Sequence, residues 1–365
     1  MDKVSVPKHI QELRGYKPGK VIEELIKEYG LTETAVLWNN ENNLGPSPKA
    51  LEAIQKSLSN SNLYPDPTAY ELRKAIADKE SISPEQVVVG NGSEAILGNI
   101  FQAFVDEGEE LLTSQGTFVA VYIWAMSHNI PIRTLPLTTD YGFDLDHLAS
   151  EIRPNTKLVY IANPNNPTGA MITRDELEAF MKKVPSSVLV ISDEAYYEYA
   201  IDLNDQFADS VRMDYPNLLT LRTFSKAYGI ASIRIGYAMG PLNLIETLAK
   251  VKMTFEPSNL AQAAGVGALS DVDYLSETMK NNKEGLQMFY ALFDELGVKY
   301  VPSFANFVMI DLGSEEQVVE LANELQRNGV FVRPLKAFGL PHCMRISVGL
   351  ARENELFVKC FRELF

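Results

Sequence analysis

Cysteine and histidine are both scarce. The two cysteines, Cys343 and Cys360, form no CxxC pair, and the four histidines, His9, His128, His147 and His342, show no HExxH spacing. A disulfide framework is therefore excluded in so long a chain, and no metal site is expected. Positive charge is also in short supply. Thirty-three Lys and Arg stand against forty-eight Asp and Glu, leaving a net charge of −15. A field of that sign repels phosphate backbones and anionic membranes, so neither nucleic acid nor a membrane is expected as a partner. It still allows a local cationic pocket for a small anion. Long apolar runs are missing: the most apolar stretch, 117–126, falls far short of the roughly 20 residues that span a bilayer. The first residues, Met-Asp-Lys, begin no apolar leader segment. A cytoplasmic location in a reducing compartment is the expectation.

What is present is an ordinary globular composition, 46% apolar and 22% charged over 365 residues, enough for two or three domains. An arm over 1–42 contains an amphipathic helix at 21–29 ending at Gly30. A turn-rich loop at 39–48 leads into a helix over 48–58, and another helix follows the rigid Tyr64-Pro65-Asp66-Pro67 break. From there β-branched runs alternate with helical patterns. Strands are expected at 87–89, 110–113, 132–137, 157–162, 188–192, 218–221 and 233–239, with helices at 93–104 and 173–183 among them. Buried runs of this kind predict an α/β fold with a mostly parallel central sheet in a large domain, 43–260. The remainder, 261–365, reads as a smaller α+β domain. It has helices at 273–296 and 315–328 and strands at 306–311, 330–333 and 344–348.

In an open parallel sheet, ligands bind beyond the carboxyl ends of the strands. Gly90-Asn91-Gly92-Ser93 follows the first expected strand, and Asn163-Pro164-Asn165-Asn166-Pro167-Thr168-Gly169 follows a later one. Asp193-Glu194-Ala195-Tyr196 and Thr223-Phe224-Ser225-Lys226 follow two more, and Arg234 lies eight residues beyond that lysine. Glycines, an amide, a carboxylate, a phenol, hydroxyls, a lysine and an arginine thus converge on one edge. An amine beside a buried carboxylate and an anion-binding nest suits an aldehyde cofactor with a phosphate tail, namely pyridoxal phosphate. The carboxylate would keep the pyridine nitrogen protonated. The hydroxyls, the arginine and a helix N-terminus at Gly92-Ser93 would take the phosphate.

These phrases also carry a resemblance. Gly15-Tyr16-Lys17-Pro18-Gly19, Asn40-Glu41-Asn42, Leu44-Gly45-Pro46-Ser47-Pro48, Tyr64-Pro65-Asp66, Gly90-Asn91-Gly92-Ser93, Asn165-Asn166-Pro167-Thr168-Gly169, Asp193-Glu194-Ala195-Tyr196, Phe224-Ser225-Lys226 and Arg345-Ile346-Ser347-Val348-Gly349 occur in one order along nearly the whole chain. The sequence resembles the fold-type I aminotransferases of class I/II that depend on pyridoxal phosphate, most closely the histidinol-phosphate aminotransferases. The resemblance implies that Lys226 forms the Schiff base and shuttles the proton, and that Asp193 pairs with the pyridine nitrogen. It places Tyr196 and Asn166 at the ring oxygen and Phe118 over the ring. Gly92, Ser93, Thr223, Ser225 and Arg234 hold the phosphate, with Glu94 contributing its backbone amide. Tyr64 reaches the neighbouring subunit's cofactor, which implies a homodimer with shared sites. Arg345 binds the substrate carboxylate or phosphate, and Arg333 and Tyr16 the substrate phosphate. The partners implied are an amino donor, L-histidinol phosphate, and 2-oxoglutarate.

Three departures stand out: Glu94-Ala95 where the family has Asp-Glu, Asn43 where it has proline, and Thr254-Phe255-Glu256-Pro257-Ser258-Asn259 where it has a Pro-Phe-Asn arrangement. Glu256 is expected near the substrate mouth, where a carboxylate opposes a phosphate and favours an aromatic or cationic donor. Other readings stay open. Taken singly, Asp193 could cap a helix, Asn166-Pro167 could be only a turn, and Arg333 or Arg345 could sit in structural ion pairs. Gly90-x-Gly92-x-x-Ala95 fits a dinucleotide fingerprint, and therefore an NAD-dependent oxidoreductase, but that leaves Asp193, Lys226 and Arg234 without a role. A decarboxylase or lyase on the same fold is a further alternative. A transcription regulator would need a basic helix-turn-helix extension, which the sequence lacks.

Overall fold

The computed structural model describes residues 4–13 and 21–365. Seven strands form its main sheet. Their order is Val87–Gly90, Gly236–Met239, Leu218–Thr223, Leu189–Asp193, Thr156–Ala162, Glu110–Ser114 and Ile132–Leu135. Neighbouring strands are parallel except where Gly236–Met239 runs against the two beside it. Alternate residues go to opposite faces. Leu158, Tyr160 and Ala162 pack beneath helices Ser93–Phe104 and Val119–Ser127, while Val159 and Ile161 pack against helix Arg174–Met181. Because both faces are covered, the strands read as unbroken apolar runs rather than alternating ones.

Helix boundaries follow local chemistry. Ser47 accepts from the Ala50 amide at the start of helix Pro48–Ser57. Thr173 and Glu176 cap helix Arg174–Met181 reciprocally. Gly30, at φ +63°, closes helix Ile22–Tyr29 in a left-handed turn that glycine adopts without a side-chain clash.

A second, four-stranded antiparallel sheet has the order Arg333–Pro334, Cys343–Ser347, Phe307–Asp311, Lys299–Val301. Its core gathers Phe289, Phe293, Phe357 and Phe361 around Val308, Ile310 and Ile346. Each ring so buried contributes about 1.5–3 kcal/mol. The single strand expected at 330–333 is two. Val330–Phe331 pairs in parallel with Ala35–Val36 of the arm, and Arg333–Pro334 pairs with Cys343–Ser347. Pro334 has no N–H to donate and accordingly lies on an edge strand.

Helix Asn259–Leu269 buries Ala261, Ala264 and Ala268 in the core over the large sheet, against helices Pro48–Ser57 and Tyr70–Glu80. Helix Val272–Leu296 feeds the other core. We place the boundary between the two units at 270–271, beyond the 260 of the sequence reading. Small side chains join this helix to the large unit: at Gly267 a Cβ would come within 2.5 Å of the Lys49 carbonyl.

Candidate active site

At the carboxyl edge of the large sheet, a cavity of about 240 Å³ is lined by Ser93, Glu94, Phe118, Asn166, Asp193, Tyr196, Thr223, Ser225, Lys226 and Arg234, all singled out in the sequence. Arg234 reaches this edge because Gly236–Met239 is the reversed strand, so its beginning meets the ends of the others. Gly92 sits at φ +87°, and a Cβ there would lie 2.8 Å from Arg234 Nη2. At Gly236 a Cβ would lie 2.3 Å from the Ser93 nitrogen. Both glycines let backbone and guanidinium close on one point. There helix Ser93–Phe104 opens without a side-chain cap, and the Thr223 hydroxyl donates to Ser225 Oγ at 3.0 Å. Free amides at a helix start, two hydroxyls and a guanidinium form an anion cradle.

At the other side of the cavity floor, Asp193 is buried. Tyr160 donates to its Oδ2 at 2.7 Å, while Oδ1 has no hydrogen-bond partner. Burial pushes the carboxyl up to about 6, against hydrogen bonds from Tyr160 and the Ala195 backbone. Lys226 donates to the Asn39 carbonyl at 3.2 Å. Burial lowers its amine to about 8; Arg345 and Arg234 add to the shift and Glu41 opposes it. Burial raises the Tyr196 phenol, which accepts from Asn40 Nδ2 at 2.9 Å.

Arg345 and Arg333 face each other across neighbouring strands. Arg345 donates to Asn166 Oδ1 and, at 2.7 Å, to the Trp38 carbonyl, and its Nε has no partner. Arg333 donates to Asn39 Oδ1 at 2.6 Å. The arm segment Trp38–Asn39 thus joins both arginines and the lysine. Tyr64 does not line the cavity. It is 79% exposed, with its ring stacked 4.3 Å from Phe255. Tyr16 lies outside the described residues. Glu256 departs from expectation: it is buried, accepts from Asn91 Nδ2 at 2.8 Å and does not line the cavity. Its backbone carbonyl accepts from Lys252 at 2.5 Å, which turns the segment inward.

Sequence reasoning missed Tyr160, Asn40 and the arm's part in the floor. A hydroxyl in the apolar run 158–162 was the available signal for Tyr160. It also missed a buried ionic cluster behind the site, where Arg222 donates to Glu194 Oε2 at 2.8 Å and Asp209 Oδ1 at 2.7 Å and pairs with Glu80 at 3.0 Å. Ser210 donates to Glu194 from both its amide and its hydroxyl. Away from the cavity, Asp311, His342 and Cys343 bring donor atoms within 4.8 Å of one another. The Tyr141 hydroxyl already sits among them, 2.8 Å from Asp311 Oδ2 and 3.1 Å from His342 Nε2.

The sequence pattern of the family described as aminotransferase class I and II matches residues 33–359. The chain belongs to that family. This aminotransferase is 42% identical over 350 residues to a histidinol-phosphate aminotransferase of Anaeromyxobacter sp. (strain Fw109-5), covering 96% of each chain. A namesake from Brevibacillus brevis is 40% identical, covering 96% of this chain and 95% of the relative. Among solved structures, a Sinorhizobium meliloti histidinol-phosphate aminotransferase in complex with pyridoxal-5'-phosphate superposes with a TM-score of 0.87 at 30% identity, covering 99% and 98% of the two chains. The fold is the type I fold of these enzymes. Among the described residues, no helix is long and apolar enough to cross a membrane.

Proposed function

We propose that this aminotransferase holds pyridoxal 5'-phosphate and moves an amino group between L-histidinol phosphate and 2-oxoglutarate. The cavity fits the cofactor on three counts. The cradle of Gly92, Ser93, Thr223, Ser225 and Arg234 suits a phosphate. Asp193 Oδ1, buried and unpartnered, suits a protonated ring nitrogen. Tyr196 and the Asn166 amide suit the ring oxygen, with Phe118 against the ring. Glu94 lies in the same helix turn and serves through its backbone amide. When bound, the cofactor supplies an aldehyde that condenses with amines and a ring that draws electrons from the substrate α-carbon.

This chain's residues do the rest. Lys226, lowered to about 8, is close enough to neutrality near pH 7–8 to act as a nucleophile and to take and return the α-proton. Asp193 stabilises positive charge on the ring nitrogen while its neighbours exclude water.

The observation that carries the substrate is the opposed pair Arg333 and Arg345, which hold the cavity-lining residues Asn39 and Asn166. Two guanidinium groups suit a phosphate dianion on one substrate and a carboxylate on the other, and the names of the relatives agree. Glu256 is turned inward to Asn91 and does not line the cavity. A panel of amino donors assayed with 2-oxoglutarate tests the reading, which expects histidinol phosphate to lead. A tenfold higher kcat/KM for phenylalanine, tyrosine or a basic amino acid would overturn the substrate and leave the aminotransferase standing. The exposed apolar residues Leu58, Leu63 and Met253, with the stacked pair Tyr64 and Phe255, support a homodimer in which Tyr64 serves the partner's site. Sedimentation should show two chains per particle.

A further inference from the structure

We propose that Tyr160 is a positioning residue for this reaction: its hydroxyl anchors one oxygen of Asp193 so that the other faces the cofactor ring nitrogen. The inference rests on the cofactor reading above. Strand Thr156–Ala162 alternates its side chains between two faces, and Tyr160 lies on the face that also carries Leu158 and Ala162. It is fully buried, yet both it and Asp193 border the cavity. Strands Thr156–Ala162 and Leu189–Asp193 are paired in parallel, with Ala162 beside Asp193. A side chain two residues back on the neighbouring strand therefore reaches the carboxylate from below, at 2.7 Å.

An aspartate's terminal torsion is broad and roughly two-fold, so the backbone contact from Ala195 fixes the carboxylate less fully than the Tyr160 side chain does at 2.7 Å. With Oδ2 committed to Tyr160, Oδ1 is the only oxygen left open. Burial holds the phenol well above its ordinary range, so it stays a donor. A hydrogen bond to one oxygen also spreads the buried charge without neutralising it, which a cation in place of Tyr160 would do.

Tyr160→Phe keeps the ring and its burial and removes only the hydroxyl. In the cofactor-loaded enzyme we expect kcat to fall about 10- to 100-fold, KM for 2-oxoglutarate to stay within about twofold, and the Kd for pyridoxal 5'-phosphate to rise. The visible absorption of the bound cofactor should shift. The same substitution in an Asp193→Asn background should change Kd by less than about twofold, because the anchored group is gone. Wild-type kcat in Tyr160→Phe, or equal losses of affinity in the two backgrounds, would overturn the assignment and leave the cofactor reading intact. Failure of the wild-type chain to bind pyridoxal 5'-phosphate would overturn both.

Discussion

Asp193 and Glu194 are adjacent, both buried, and treated in opposite ways. Glu194 points to the side of the sheet where Arg222, Ser210 and Ser192 supply donors to both of its oxygens. Asp193 points to the cavity and receives Tyr160 on one oxygen and nothing on the other. Thr223 and Arg222 repeat the division one strand over. On one side Arg222 forms ion pairs with three carboxylates and braces the sheet, although its Nη1 and Glu80 Oε1 meet without a hydrogen bond. On the other, bonding capacity is left unused, and unused capacity in a buried place is where a ligand can be recognised.

Four substitutions probe that contrast. Lys226→Ala should have the largest effect, lowering kcat by about 10⁵-fold or more, since nucleophile and proton carrier are lost together; single-turnover assays measure it. A loss below a hundredfold would move the chemistry elsewhere.

Asp193→Asn should cost about 4–7 kcal/mol in transition-state stabilisation, yet stabilise the cofactor-free protein. Its folded pKa, about 6, lies above the ordinary 3.8. The folded state therefore binds more protons between those values, and stability falls as pH rises through that window. Above it the penalty is complete, about 3 kcal/mol, and asparagine removes it. Urea melts at pH 8 should show the gain, and melts near pH 4 should show little.

Arg222→Met should do the reverse. It leaves Glu194, Glu80 and Asp209 uncompensated and should cost about 3–5 kcal/mol of stability, with kcat per folded molecule changed less than about tenfold. A variant of unaltered stability would mean that the cluster is no brace. Smallest, Ser210→Ala should cost about 1–3 kcal/mol, the price of a buried acceptor losing one donor. Equal stability losses at Asp193 and Arg222 would erase the comparison altogether.

The cavity side was the legible one. Asp193, Asn166 and Lys226 sit at or just beyond the ends of apolar runs and Arg234 just before the reversed strand, so the pattern located them and the resemblance supplied their roles. Tyr160 and Arg222 lie inside strands. There a polar side chain is masked by its apolar neighbours, and its partner is set by sheet order, which a linear reading does not contain. Tyr64 was legible as a motif, but it lies outside the cavity, and its proposed role rests on the proposed dimer. Glu256 was misjudged because the turn of 252–257 depends on Lys252 reaching a backbone carbonyl, a contact no composition announces.

The reversed strand has a consequence for how the site assembles. Thr223 pairs directly with Gly236, so Lys226 and Arg234 both lie on one closed loop, 224–235. The entropy of closing a loop that short is modest and grows only with the logarithm of its length. Both cations can therefore find their relative places as soon as that hairpin forms. Asp193 and Asn166 must be delivered by parallel crossovers, which order more slowly. Lys226 and Arg234 are local in the chain, whereas Asp193, Asn166, Arg333 and Arg345 are not. An insertion between 226 and 234 would therefore disturb the cradle at its source, whereas one in a surface crossover, such as 182–187, would leave the cations in register.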